Sequence, residues 1–87
     1  MDQNWVDNFR IKLEQHYSWP SLYIFKFIVP QGREEELKNL FPNHTFTQKN
    51  STQGRYSSLT MQIMASSSDS VIEVYQKAAV VEGLIAL

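Results

Sequence analysis

An α+β fold of order β-α-β-β-α-β, preceded by one further helix, is predicted by three observations. Residues 21 to 87 divide into two stretches that each read strand, helix, strand. Apolar spacing switches between a period of two in the strands and about 3.6 in the helices. Turn and capping residues stand at the switches: Pro30 to Gly32, Pro42 with Asn43, Gln53 with Gly54, and Ser66 to Ser70.

Residues 3 to 16 read as an amphipathic helix, because Trp5, Val6, Phe9, Leu13 and His16 fall within about a third of the helical circumference. Ile11 faces the polar side. Asn4 is the expected cap, with Asp7 three residues on in the usual acidic position. Tyr17 to Pro20 end the helix, since the residue before a proline is pushed out of the α region. Leu22 to Val29 follow as a strand in which Tyr23, Phe25, Phe27 and Val29 alternate with Leu22, Ile24, Lys26 and Ile28, so both faces are apolar except at Lys26. Glu34, Glu35 and Glu36 then open a short helix, where carboxylates complement the positive end of the dipole. Leu37, Leu40 and Phe41 supply its buried stripe.

His44 to Ser51 form a polar strand with Phe46 as its large apolar residue, which suits a sheet edge. Gly54 is expected at positive φ in the hairpin that follows. From Tyr56 to Ala65, Leu59, Met61 and Ile63 alternate with Ser58, Thr60 and Gln62. The serine run supplies a helix cap, either Ser70 boxed with Glu73 or Ser68. Val71, Val74, Tyr75 and Ala78 recur at helical spacing after it, and Val81 to Leu87 close the fold as a strand with Glu82 facing water.

The 87 residues make one domain, with residues 3–16 as an extension and 18–87 as the core. A net charge of −1 removes the overall electrostatic drive of nucleic-acid or anionic-membrane binding, so neither partner is expected. No cysteine is present, which excludes a disulfide framework, a cysteine zinc site and thiol chemistry and makes the cytoplasm the expected compartment. The start of the chain lacks a basic, apolar leader, and no run approaches the roughly 20 apolar residues of a membrane span. His16 and His44 lack the companions of a metal site, so no metal or cofactor is expected.

Trp19 and Pro20, then Tyr23, Phe25 and Lys26, then Ser51, Gly54, Tyr56 and Ser58, and finally Tyr75 and Leu87 together resemble the bacterial YbeD-like domain of unknown function. The resemblance covers residues 18 to 87, and its hairpin motif S-x-x-G-x-Y-x-S is matched by Ser51 to Ser58. It implies a ferredoxin-like sandwich similar to ACT-type regulatory domains. It supplies no activity, although some members are labelled lipoate regulators. The N-terminal helix extends beyond the short members of that family.

This topology carries an antiparallel four-stranded sheet of order 4-1-3-2 with two helices on one face and the other face open. Leu22, Ile24 and Ile28, with Leu84 and Ala86, are expected to make the open face apolar. The N-terminal helix is expected to lie across it through Trp5, Phe9 and Leu13, and a homodimer is the alternative cover. Lys26, Lys49, Arg55, Tyr56 and Ser57 are the candidate binding residues, suited to a small anionic ligand or an acidic patch on a protein partner. The plain reading of Lys26 is a lysine whose stem covers apolar surface, and that of the hairpin is local turn chemistry. The expected function is a non-enzymatic regulatory or binding module. RNA-recognition domains share the element order, and Leu22 to Phe25 and Gly54 to Tyr56 match parts of their motifs, but Ser58, Thr60 and Gln62 replace the stacking aromatics. Acylphosphatases use a related fold, without a matching arginine and asparagine loop here.

Overall fold

The computed structural model describes residues 2–51 and 53–87. In chain order the elements are α1 (Gln3–His16), β1 (Ser21–Pro30), α2 (Glu34–Leu40), β2 (Phe46–Asn50), β3 (Tyr56–Ala65), α3 (Ser68–Ala78) and β4 (Ile85–Ala86). β1 pairs antiparallel with β3 from Ser21 opposite Ala65 to Pro30 opposite Tyr56, and with β4 through Phe27 opposite Ala86 and Ile28 opposite Ile85. β2 lies outside β3, so the order is β2-β3-β1-β4, the expected 4-1-3-2 of a ferredoxin-like sandwich.

The Leu87 N–H donates to the Lys26 carbonyl at 2.9 Å. Backbone groups alternate sides along a strand, so even-numbered residues of β1 direct theirs toward the β4 side and odd-numbered ones toward β3. Pro30 is even-numbered, and its missing N–H therefore costs the long β1–β3 ladder nothing.

The core lies on the face that carries Phe25, Phe27 and Val29 of β1 with Leu59 and Met61 of β3, all wholly buried. Leu37 of α2 and Val71 and Ala78 of α3 close it from above. Tyr75 of α3 is the centre of the aromatic packing, with its ring centroid 5.1 Å from Phe25, 5.5 Å from Phe9 and 6.5 Å from Trp5. Burial pushes its phenol pKa up, and its hydroxyl lies 3.2 Å from that of Tyr23.

α1 has the predicted boundaries and a different berth. It packs beside α3 on the helical side, leaving the second sheet face uncovered by any described element. Val6 and Leu13 are its buried residues, whereas Trp5 stays exposed along one side while touching Phe9 and Tyr75. Only residues 17–20 join α1 to β1. Tyr17 stacks on Trp19 and packs on Tyr23, a core-side residue of β1, and so directs the helix to the side where Tyr75 waits. Polar contacts hold the same arrangement: Arg10 bonds Asp69 at 2.8 Å, and Glu14 accepts from the Ser68 hydroxyl and from Trp19 Nε1.

Both cap positions differ from expectation. Asp2, extended in its backbone, accepts the Trp5 N–H at 2.8 Å, whereas Asn4 already lies inside α1. Ser67 caps α3 and forms a reciprocal box with Ser70, so the box starts one residue before Ser68 and does not use Glu73. β2 begins at Phe46 because His44 belongs to the preceding turn, whose His44 N–H donates to the Phe41 carbonyl.

The last strand is shorter and out of phase with the expected one. Val81 is buried, Gly83 turns at φ +80, and a Cβ there would stand 2.7 Å from Pro30 Cγ. Glycine is thus required both by its backbone angle and by the proline ring. The turn reverses the alternation: Leu84 packs toward the core, and Ile85, opposite Ile28, occupies the open face in place of Leu84 and Ala86.

Candidate functional site

β1 and β3 build the open face from their even-numbered side chains. Register places Leu22 opposite Met64, Ile24 opposite Gln62, Lys26 opposite Thr60 and Ile28 opposite Ser58. Directly opposed residues share a face, so Ile85 joins Ile28 there. Leu22 is 49% exposed, Ile24 55%, Met64 64% and Ile85 51%, too much clustered apolar surface to dismiss as scattered residues. Met64 and Ile85 were not among the predicted site residues. The parity of β3 that marks Thr60 and Gln62 extends to Met64, whereas the phase of Ile85 depends on the Gly83 turn.

The predicted binding residues separate into three places. Lys49 stands opposite Ser58 on the open face, and with Tyr56, Ser58 and Ile28 it lines a shallow recess of about 170 Å³. Arg55 lies in the turn just before Tyr56, its N–H donating to Ser51 Oγ at 3.3 Å and its carbonyl accepting from Gln31 at 2.9 Å. Gly54 has φ +74, as its position in the hairpin predicts. Lys26 is on the same face but four residues along the ladder from the Pro30–Tyr56 pair, a separation of about 13 Å at strand rise.

Ser57 borders the same recess as Lys49 and Tyr56, but its side chain faces the core side. It is buried, donates to Glu34 Oε2 at 2.6 Å, and lies 2.9 Å from Asn50 Oδ1. The odd number of Ser57, next to even-numbered Tyr56 and Ser58, dictates that side. The Ser57 hydrogen bond is the main reason that the Glu34 carboxyl titrates below its ordinary value, with backbone N–H groups at the start of α2, including that of Gly32 at 2.7 Å, adding to it. Ser57 thus braces the first turn of α2 to the hairpin. Glu14 is a second braced carboxylate, its pKa lowered first by the Ser68 hydroxyl and then by Trp19.

Charge is divided between the two sides of the sandwich. The acidic residues Asp2, Asp7, Glu14, Glu34, Glu35, Glu36, Asp69, Glu73 and Glu82 all belong to helices, their caps, or the turn that leads to β4. Lys26, Lys49 and Arg55 alone among the charged residues lie on strands or the hairpin. The sheet side consequently carries +3 and the helical side −4, which together make the net −1. None of these three cations forms an ion pair among the described residues. A whole-chain charge near zero conceals this division, and only the fold assigns each residue to a side.

These features define a ferredoxin-like domain with one sheet face uncovered, apolar along β1 and cationic at intervals. Within that class the chain belongs to the family described as protein of unknown function (DUF493), whose profile matches residues 14–85, in accord with the YbeD-like hairpin motif. Residues 3–13 of α1 lie outside the matched span. No curated protein and no solved structure matches the chain. No helix among the described residues is long and apolar enough to cross a membrane, and no group of three or more metal-ligating side chains gathers among them.

Proposed function

We propose that the protein is a non-enzymatic binding module whose open sheet face docks a protein partner with apolar side chains and acidic groups. The observation that carries this reading is the exposed apolar strip of Leu22, Ile24, Met64 and Ile85 on the face that holds Lys26 and Lys49, with Arg55 in the adjoining turn and no acidic side chain among the described residues of its strands. Apolar contact supplies area, and the cations select an acidic counterpart. A regulatory role of the ACT type is one use of such docking. The small-ligand version is less well supported at the predicted residues, because the recess at Lys49 and Tyr56 falls short of the roughly 300–1,000 Å³ of ligand pockets, and the larger open recess of about 500 Å³ lined by Thr47, Thr60 and Gln62 includes none of the three cations. RNA binding is also disfavoured, since stacking needs several aromatics and this face offers Tyr56 alone.

The cysteine-free chain makes the test direct. A photoreactive label on Thr60→Cys, in the middle of the open face, is expected to give a specific protein adduct in native extract, while the same label on Lys12→Cys of α1 is not. Adducts from Lys12→Cys alone would overturn the assignment. A nuclease-sensitive adduct at Thr60→Cys would transfer it to RNA.

A further inference from the structure

We propose that the free edge of β1 at Leu22 and Ile24 accepts an extended acidic and apolar segment of a protein partner as a fifth strand. This deepens, and rests on, the assignment of the open face as the docking face. β3 pairs with the whole length of β1, from Ser21 to Pro30, whereas β4 pairs only with Phe27 and Ile28 and reaches Lys26 through Leu87. Leu22 and Ile24 are even-numbered, so their N–H and C=O groups point to the β4 side, where no described residue bonds them. A row of unmet strand groups is a template for another strand.

The two edges of the sheet differ in protection. On β2 the outward groups belong to Phe46, Gln48 and Asn50, and the exposed Gln48 side chain is tied to Asn50 at 3.0 Å. On β1 the edge is apolar, with Leu22 and Ile24 about half exposed and no charge before Lys26. An added strand beside Leu22 and Ile24 extends the apolar strip. A carboxylate beside Ile24 then lies diagonal to Lys26, at the roughly 7–8 Å that long side chains span. Lys26 is the charged residue of β1 and forms no ion pair among the described residues, so an acidic segment is favoured over a basic one at this edge. Backbone bonds supply affinity and alternate side chains supply selection, as in other strand additions.

The test uses the full chain and the blocked hexapeptide of alternating valine and glutamate, followed by amide hydrogen exchange in NMR. In the free protein the Tyr23 and Phe25 amides should be protected and those of Leu22 and Ile24 should exchange freely. The glutamate peptide should slow exchange at Leu22 and Ile24 at least tenfold. A valine and lysine peptide should not, and N-methylation of one of the two sets of alternate peptide nitrogens should abolish the effect. Lys26→Ala should weaken peptide binding several-fold. Protection of Leu22 and Ile24 in the free protein would overturn the proposal, with sedimentation showing whether a second copy fills the edge or the chain itself does. Equal binding of both peptides, or none at millimolar concentration, would also overturn it. If the Thr60→Cys adduct persists in that case, strand addition alone fails; if the adduct is absent too, the docking face fails with it.

Discussion

Ile24 and Phe25 are adjacent on β1, both large and apolar, yet Phe25 is wholly buried and Ile24 is 55% exposed. The same division runs along the strand, with Phe27 and Val29 inside and Leu22 outside. Hydropathy does not distinguish the two faces; connection geometry does. β1 and β2 are parallel across β3, and β3 and β4 are parallel across β1. Each pair is joined through a helix, and right-handed crossovers of this split kind put α2 and α3 on one side. α1 joins them because its short link passes through Tyr17 and Tyr23 on that side. A strand that is apolar on both faces and covered on one is therefore a better sign of a docking surface than an exposed residue on an otherwise polar face.

The largest test of this contrast is removal of residues 1–16. Val6 and Leu13 are nearly fully buried, and at about 1.5–3 kcal/mol for each large apolar side chain the loss should be about 3–6 kcal/mol in chemical denaturation. An unchanged denaturation midpoint would return α1 to the status of a loose appendage. Next, Phe25→Ala should cost about 3–5 kcal/mol as a cavity in the core, against less than about 0.5 kcal/mol for Ile24→Ala beside it. Equal costs would mean that the open face is covered in solution.

The two turns that frame the sheet provide a finer comparison. Gly54 and Gly83 both have positive φ, so alanine at either should cost about 1–2 kcal/mol. Gly83→Ala should cost more than Gly54→Ala, because its Cβ also meets the Pro30 ring at 2.7 Å whereas that of Gly54 meets nothing closer than 3.9 Å. The reverse order would place β4 wrongly against β1.

Acid sensitivity separates the buried hydroxyl of Ser57 from its exposed neighbours. The Glu34 carboxyl is depressed in the folded state, so its contribution is present above the ordinary carboxylate range and is lost as pH falls through the folded value. Ser57→Ala removes the main cause, so the variant should be less stable near neutrality, with the gap closing in acid. A gap that is constant with pH would show that Ser57 acts through packing alone. The smallest stability effect belongs to the sheet-side cations: Lys26→Ala with Arg55→Ala should change stability by less than about 0.5 kcal/mol. The same double variant should weaken partner binding at least tenfold, measured by titration with the captured protein, and unchanged affinity would remove these cations from the docking surface.

Much of this was legible in the residues. The period-two run from Leu22 to Val29, the acidic start of α2 and the Gln53–Gly54 turn signal act over a few residues, and β1, α2 and the hairpin appeared where those local patterns placed them. The candidate site was legible in part: Lys26, Lys49 and Tyr56 are on the open face, whereas Ser57 was grouped by nearness in sequence and alternation sends it to the other side. The same alternation places Met64 on the open face.

The sequence by itself determined the element order, the alternating faces of β1 and β3, and the positive φ at Gly54, because periodicity and backbone sterics are short-range. Tertiary structure alone decided which apolar face of β1 is covered, where α1 rests, the phase of β4, and the division of charge between the two sides. Each of these depends on groups far apart in the chain meeting in space, Arg10 with Asp69, Tyr23 with Tyr75, Pro30 with Gly83, and no local pattern records such a meeting.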